Sequence, residues 1–372
     1  MDGAGVPART SLGGKADPGQ QGDEPDHAGG NPRCGNGIAG RGRSAFRRAG
    51  GRHEGLGARP VHAVRGQPGR RVHGSAPVHA RAGPAAGRSA LVIRTVLGDV
   101  DELGVTNSHD HLFLASRVLP GQELDDVEAA FLELQRFHDT GGQAVVQWTP
   151  LGMHRRLDAL PDLSRRSDVT IVAATGLHQA QHYEPEWLAK TLPRLEELFV
   201  EDITQRRTGL IKVAGGFHGL DPHAVHTMTA AARAHHTTGV PVAVHLELGT
   251  AALDVLDLLC GKLDVPPHRV VLGHLNRFPD PWVQDRVASA GIFLAFDGPS
   301  RAHHATDWTM PGTLTRLADA GFASQLLLGG DTTTVAARGV PGMSYLVTHL
   351  RPRLDPELAA QIFVANPTRA FG

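Results

Sequence analysis

The chain has 372 residues and a formal net charge of −1 at pH 7, which is the sum of two unlike parts. Residues 1–90 carry 14 basic and 6 acidic residues, whereas residues 91–372 carry 23 basic and 32 acidic ones. The two cysteines, Cys34 and Cys260, exclude a disulfide framework and a cysteine-based zinc site, and no apolar run reaches the roughly 18 residues of a membrane span, so a soluble cytoplasmic protein is expected.

Residues 1–88 are predicted to be a disordered, low-complexity basic segment. Stretches such as RGRSAFRRAGGRHEGLGARP show no hydrophobic periodicity and cannot bury enough apolar surface to offset the entropy of the chain. A nucleic-acid-binding arm is a weaker alternative, because Phe46 is the only aromatic residue among the arginines. There is also no apolar h-region of a secretory signal. We expect a dispensable tail or a start codon assigned too far upstream, whose deletion leaves activity intact.

Residues 89–372 are predicted to form one domain in which strands alternate with helices. The strand-like runs are GVTNSHDH, QAVVQWTP, VTIVAATGLH, GLIKVAGG, VPVAVHLELG, RVVLGHLNR, GIFLAFDG and SQLLLGGDTTT. Helical spacing lies between them, as in LDDVEAAFLELQRFHDTG and PHAVHTMTAAARAHHTTG, which both end on glycine. Successive strands are 23–38 residues apart, which suits one βα unit each time. The sequence therefore predicts a (β/α)8 TIM barrel. A doubly wound open sheet, the alternative, would more often show a Gly-rich phosphate turn.

Polar residues stand at or near the C-terminal ends of these strands, where a barrel builds its active site. They are His109, His111, Lys212, His245, His274 and Asp331. Each has a structural alternative: a histidine can be satisfied in the core, and an aspartate can cap the following helix. Four strand ends that carry groups able to bind metals favour a shared site. Imidazole and carboxylate ligands suit zinc, with Mn, Fe, Co or Ni as alternatives.

Lys212 is one of only four lysines in the chain and lies inside the apolar run GLIKVAGG, where an unpaired charge is costly to bury. Two roles fit a lysine at this place. It could be the Schiff-base nucleophile of a lyase or aldolase, or an amine that reacts with carbon dioxide to give a carbamate able to bridge two cations. The surrounding histidines favour the carbamate, since Schiff-base chemistry has no use for four imidazoles.

The pattern then predicts a two-metal hydrolase. A water between ions about 3.5–4 Å apart ionises near neutral pH and becomes the nucleophile. Asp331 would accept or shuttle the proton. One ion would be bound by His109, His111 and Asp331, and the other by His245 and His274. The modified Lys212 would lie between the two ions.

These motifs and their order resemble the phosphotriesterase-related family of the amidohydrolase superfamily over residues 93–372. The resemblance is carried by RTVLGDVDELGVTNSHDHLF, VAATGLH, IKVAGG, VHLELGT, GHLNR, GIFLAFDG, LLLGGDTTT and NPTRAFG. It implies a (β/α)8 barrel with a binuclear metal centre, bridged by a carboxylated lysine and hydroxide, that hydrolyses small organophosphate, lactone or ester substrates. It implies ligand roles for the same six residues. Asn276 stands where an acidic residue is common, and an amide cannot relay a proton as a carboxylate can.

Four further residues are candidates for the substrate pocket: Trp148, His178, Arg277 and Asp297. Each could equally serve in packing, and Trp148 is preferred because a large aromatic at a strand end can wall an apolar pocket.

Two alternatives to a hydrolase are a Schiff-base lyase using Lys212 and a barrel that has lost catalysis and acts as a binding protein. The sequence leaves open the physiological substrate and whether two barrels pair into a homodimer.

Overall fold

The computed structural model describes residues 91–298 and 306–372. The segment predicted to be disordered, residues 1–88, lies outside these residues. A short antiparallel hairpin, β1 (Ile93–Arg94) and β2 (Asp99–Val100), precedes a sheet of eight parallel strands, each hydrogen-bonded to the next in sequence. The eight are β3 (Thr106–Asp110), β4 (Ala144–Gln147), β5 (Thr170–Gly176), β6 (Leu210–Ala214), β7 (Val242–His245), β8 (Val270–Gly273), β9 (Phe293–Asp297) and β10 (Leu326–Gly329).

The sheet curls into a nearly closed barrel, in which the last strand returns to the first. Just beyond β10, the amides of Gly330 and Asp331 both donate to the carbonyl oxygen of His109, at 2.9 and 3.0 Å. A Cβ atom on Gly329 would lie 2.6 Å from that same oxygen, so only glycine permits this close approach. The predicted TIM barrel is confirmed.

Helical segments follow every strand of the barrel. The α-helices are α1 (Val127–Asp139), α2 (Leu160–Ser167), α3 (Pro185–Thr191), α4 (Leu195–Gln205), α5 (Pro222–Thr238), α6 (Ala252–Leu256), α7 (Pro281–Ser289), α8 (Met310–Leu317), α9 (Pro356–Ala360) and α10 (Asn366–Phe371). Short π-helical turns occupy Asp257–Lys262, Ala318–Phe322, Leu346–Leu350 and Gln361–Ala365. No helix of the described chain is both long enough and apolar enough to cross a membrane.

The two helices with the clearest sequence signals both begin at an aspartate cap, and α5 also ends at a glycine. The side chain of Asp126 accepts from the amide of Ala129 at the start of α1, and Asp221 does the same for Ala224 at the start of α5. Helix α5 ends at Gly239, whose φ of 75° is the left-handed conformation that glycine adopts most readily. The glycine stop predicted for α5 is confirmed.

Alternate residues along each strand face two different cores, which decides what points into the barrel. On β6, Ile211 and Val213 pack in the outer layer against the helices, whereas Leu210 packs in the interior. Lys212 shares the inward register of Leu210. The interior core includes Phe371 of α10 and residues of the hairpin, at the end opposite to the polar strand ends.

Candidate metal centre

The six predicted ligand residues all line one cavity of about 240 Å³ at the C-terminal ends of the strands. Apolar residues form part of its wall, namely Leu114, Val118, Leu119, Pro150, Met153 and Leu248. A wider groove of about 560 Å³ runs along the surface of α4 and α5. Within the described chain, no group of three or more possible metal ligands lies in that groove, so the chemistry belongs to the smaller cavity.

Three ligand atoms converge between β3 and the end of β10. The Nε2 atoms of His109 and His111 each lie 3.5 Å from Oδ1 of Asp331. Two ligands bound to one tetrahedral zinc at 2.0–2.1 Å are themselves about 3.4 Å apart. The spacing of these atoms therefore fits a single divalent ion held by all three residues.

The far side of each of these two imidazoles is held by a hydrogen bond. Nδ1 of His109 lies 2.6 Å from Oδ1 of Asp297, and Nδ1 of His111 lies 2.7 Å from the hydroxyl of Thr149. An ionised carboxylate can only accept, so His109 carries its proton on Nδ1 and keeps a lone pair on Nε2. His109 also stacks on Trp148, with ring centroids 3.8 Å apart. This is the support that metal-binding histidines receive in proteins.

His245 and His274, the pair predicted to bind a second ion, lie next to each other in the same cavity. Nδ1 of His245 lies 2.8 Å from Nε2 of His274, and its Nε2 lies 3.0 Å from a carboxylate oxygen of Glu247. Burial lowers the pKa of both histidines, that of His274 to about 3, so both rings are neutral and offer a lone pair. An ion between them requires the facing nitrogens to separate from 2.8 Å to about 3.4 Å.

Asp297 connects His109 and His274 from behind. Besides its bond to His109, its Oδ2 accepts from the backbone amide of His274 at 2.9 Å and lies 2.7 Å from Nδ1 of that ring, without hydrogen-bond geometry. Burial opposes its ionisation, but His109 and His274 hold the pKa of Asp297 far below its usual range. The carboxylate is therefore an anion that lies beside both His109 and His274.

Lys212 lies on the inner face of β6 with only 3% of its surface exposed. It forms no ion pair with any residue of 91–298 or 306–372. Burial lowers the pKa of its amine to about 7, although Asp331 and Glu247 act in the opposite direction. A neutral amine is therefore present at physiological pH, which is the form that reacts with carbon dioxide or a carbonyl.

Asp331 is held in place from two sides. Its backbone is left-handed, with φ of 53°, and its Oδ2 is paired with the guanidinium of Arg277. Burial would raise the pKa of Asp331, but Arg277, together with His109 and His274, holds it well below the usual range. Oδ1 is left facing the histidines.

Asp110 stands between the two histidines of the HDH motif but points away from them, and we did not single it out in the sequence. It accepts from the side-chain amide of Asn107 at 2.5 Å and from the backbone amides of His111 and Thr332 at 2.8 and 2.9 Å. It thus ties the end of β3 to the loop after β10. The sequence could have predicted this orientation, because successive residues of a strand point to opposite faces and the middle residue of HxH therefore points away from the two histidines.

The four pocket candidates take different places. His178 and Arg277 line the cavity. Trp148 is fully buried, donates from Nε1 to the carbonyl of Ser108 at 2.9 Å, and lies behind His109 rather than in the cavity wall. Asp297 also lies behind the histidines. Trp148 and Asp297 therefore lie behind the predicted ligands, whereas the sequence predicts them in the wall of the pocket. Both side chains point into the barrel below the ligands.

Asn276 forms a reciprocal amide pair with the backbone of Asp297. Its Nδ2 donates to the Asp297 carbonyl at 2.7 Å, and its Oδ1 accepts from the Asp297 amide at 3.1 Å. Only a side chain with both a donor and an acceptor can make this pair. The amide therefore steadies the residue that supports His109 and His274.

Comparisons with known proteins agree with this geometry. A model of the phosphotriesterase family matches residues 92–371. A phospho-furanose lactonase of Mycoplasmopsis synoviae is 29% identical over 324 residues, covering 75% of this chain and 91% of the relative. Among solved structures, a lactonase from Listeria monocytogenes is similar with a TM-score of 0.68 and 28% identity, covering 76% of this chain and 99% of its own. An amidohydrolase from Mycoplasma synoviae has a TM-score of 0.71 and 26% identity, over 76% and 92% of the two chains.

Proposed function

The chain belongs to the phosphotriesterase family of the amidohydrolase superfamily, and on that premise we propose that it hydrolyses a lactone, an ester or a phosphotriester-like bond at a two-metal centre. The observation that carries the proposal is the meeting of His109, His111 and Asp331 at ligand spacing in one buried cavity. A lactone is the first substrate class to test, because two similar proteins are named as lactonases.

We propose zinc as the first candidate for both ions, with Lys212 carboxylated between them. One ion would be held by His109, His111 and Asp331, and the other by His245 and His274. When bound, the ions would polarise the C=O or P=O group of the substrate and lower the pKa of water. The residues fit this role, because the Nδ1 atoms of His109 and His111 are already engaged and leave Nε2 free.

Asp331 is the group that we propose accepts the proton of the attacking water. Its Oδ2 is paired with Arg277 and its Oδ1 faces His109 and His111, so the carboxylate is held where the attacking water would be bound. Because the pKa of Asp331 is low, the carboxylate would release this proton to the departing oxygen of the substrate rather than retain it. Arg277 keeps the carboxylate ionised and oriented between turnovers.

The two alternatives are less well supported. A neutral Lys212 would also suit a Schiff-base lyase, but the named relatives are hydrolases and the four histidines would have no role. A binding protein without catalysis would not need all six predicted ligands in one cavity. A cytoplasmic location and a homodimer stay predictions from the sequence.

The test combines metal analysis with an activity panel on the purified full chain. We expect about two transition-metal ions per chain and hydrolysis of lactones, with aryl esters and a dialkyl aryl phosphate as comparison substrates. Lys212→Ala should lose metal and activity together, and a short carboxylic acid should restore part of both, whereas Lys190→Ala on the exposed face of α3 should change neither. No bound metal after reconstitution, with a borohydride-reduced carbonyl adduct on Lys212, would instead establish the lyase.

A further inference from the structure

A buried hydroxyl, that of Thr149, lies behind the ring of His111. Thr149 directly follows Trp148 after β4 and is fully buried. Its Oγ1 lies 2.5 Å from the carbonyl oxygen of Phe113 and 2.7 Å from Nδ1 of His111. A carbonyl oxygen can only accept, so the single hydroxyl proton is directed at Phe113. Towards His111, the Thr149 oxygen can then act only as an acceptor.

We infer that Thr149 is a positioning residue that fixes the tautomer of His111. Nδ1 of His111 must carry the ring proton in order to donate to Thr149, which leaves the lone pair on Nε2, the atom that faces Asp331. Thr149 itself does not line the cavity. The inference rests on the proposed metal centre and adds a residue to it.

The acceptor of the Thr149 proton is itself held in place by neighbouring side chains. Gln147 donates from Nε2 to the same Phe113 carbonyl at 3.3 Å, and its Oε1 accepts from the amide of Leu112 at 2.9 Å. Arg338 donates to the carbonyl of Leu112 from the loop after β10. These contacts fix the Phe113 carbonyl beside Thr149, so the hydroxyl has a constant acceptor.

The two histidines of the motif therefore have unlike supports. His109 donates to the anionic carboxylate of Asp297, which also raises the basicity of the ring. His111 donates to the neutral oxygen of Thr149, which selects the tautomer without adding charge. Without the hydroxyl, a neutral His111 would divide between two tautomers, and only one of them can bind an ion through Nε2.

The experiment compares Thr149→Val, which keeps the shape and removes the hydroxyl, with Thr149→Ser, which keeps the hydroxyl. Long-range proton–nitrogen NMR on metal-free full-length protein labelled with ¹⁵N-histidine reports which ring nitrogen is protonated, and His111→Gln assigns the signals by their loss. We expect the Nδ1–H form in wild type and Thr149→Ser, and a shift towards Nε2–H in Thr149→Val. Competition with a chelating dye should show zinc affinity reduced about 10–100-fold in Thr149→Val and retained in Thr149→Ser.

Two results would overturn the inference. The first is a wild-type His111 that carries its proton on Nε2, which is decisive even if Thr149→Val does not fold. The second is a folded Thr149→Val with wild-type tautomer and zinc affinity. Failure of the proposed function looks different: wild type would bind no zinc at all, while the NMR spectrum of the metal-free protein would still report on Thr149.

Discussion

Replacing Lys212 by methionine should stabilise the metal-free protein at neutral pH. The lysine is 3% exposed, has no ion pair within the described residues, and has its pKa lowered by burial to about 7. Methionine is also long and unbranched and carries no charge. Lys212 is therefore expected to lower the stability of the empty protein, which would be the consequence of keeping a reactive amine in the barrel.

The magnitude of this effect depends on pH in a defined direction. Between pH 7 and about 10.4 the unfolded chain binds the lysine proton more tightly than the native protein, so the stability of wild type rises with pH in this window. At 1.36 kcal/mol per pKa unit, the penalty is at most about 4 kcal/mol at pH 7 and about 2 kcal/mol at pH 9. It is close to zero above the unfolded pKa, and constant below pH 7.

The assay is urea unfolding of wild type and Lys212→Met at several pH values from 7 to 10, in buffer with a chelator and without carbon dioxide. The difference in unfolding free energy should favour the variant and shrink as the pH rises. Lys190→Met, at an exposed position of α3, is the control and should change stability by no more than about 0.5 kcal/mol. Equal stability at pH 7, or a difference that stays constant to pH 10, would refute the reasoning.

Three further predictions concern the residues around the histidines. Asp331→Asn should lower kcat about 10²–10⁴-fold with an unchanged circular dichroism spectrum, because the proton acceptor is lost; full activity would exclude that role. Asp297→Asn should weaken zinc binding about 10–100-fold in chelator competition, because His109 and His274 lose their anionic partner, and unchanged affinity would contradict this support. Asn276→Asp should lower stability by about 1–3 kcal/mol in thermal unfolding, since a carboxylate oxygen would face the Asp297 carbonyl; an unchanged midpoint would show that the amide pair contributes nothing.

The barrel could be predicted because each of its strands is marked by a local pattern. The run GLIKVAGG contains β6 (Leu210–Ala214), and VPVAVHLELG contains β7 (Val242–His245), so the apolar runs located the strands to within a few residues. The hairpin β1 and β2 was not predicted. Its strands have two residues each, which is too short for a period of two to be visible.

The candidate ligands could also be chosen from local signals, while their supports could not. His109 is conspicuous because it forms an HxH pair with His111, and Lys212 because an amine interrupts an apolar run. Thr149 carries no such mark, and Asp297 was selected only as a pocket candidate, since a threonine or an aspartate after a strand is ordinary in any sequence. Their importance lies in contacts across the barrel, such as the bond between His109 and Asp297, which are 188 positions apart.

Residue order was therefore sufficient for the strands of the barrel and for the chemical type of the site, because periodicity and residue chemistry are local properties. The protonation pattern of the site needed the folded barrel. Which nitrogen of His109 or His111 carries the proton depends on the partner that lies behind the ring, and the pKa of Lys212 depends on how completely the barrel excludes water. Both are properties of through-space neighbours, and closure of the sheet brings those neighbours together.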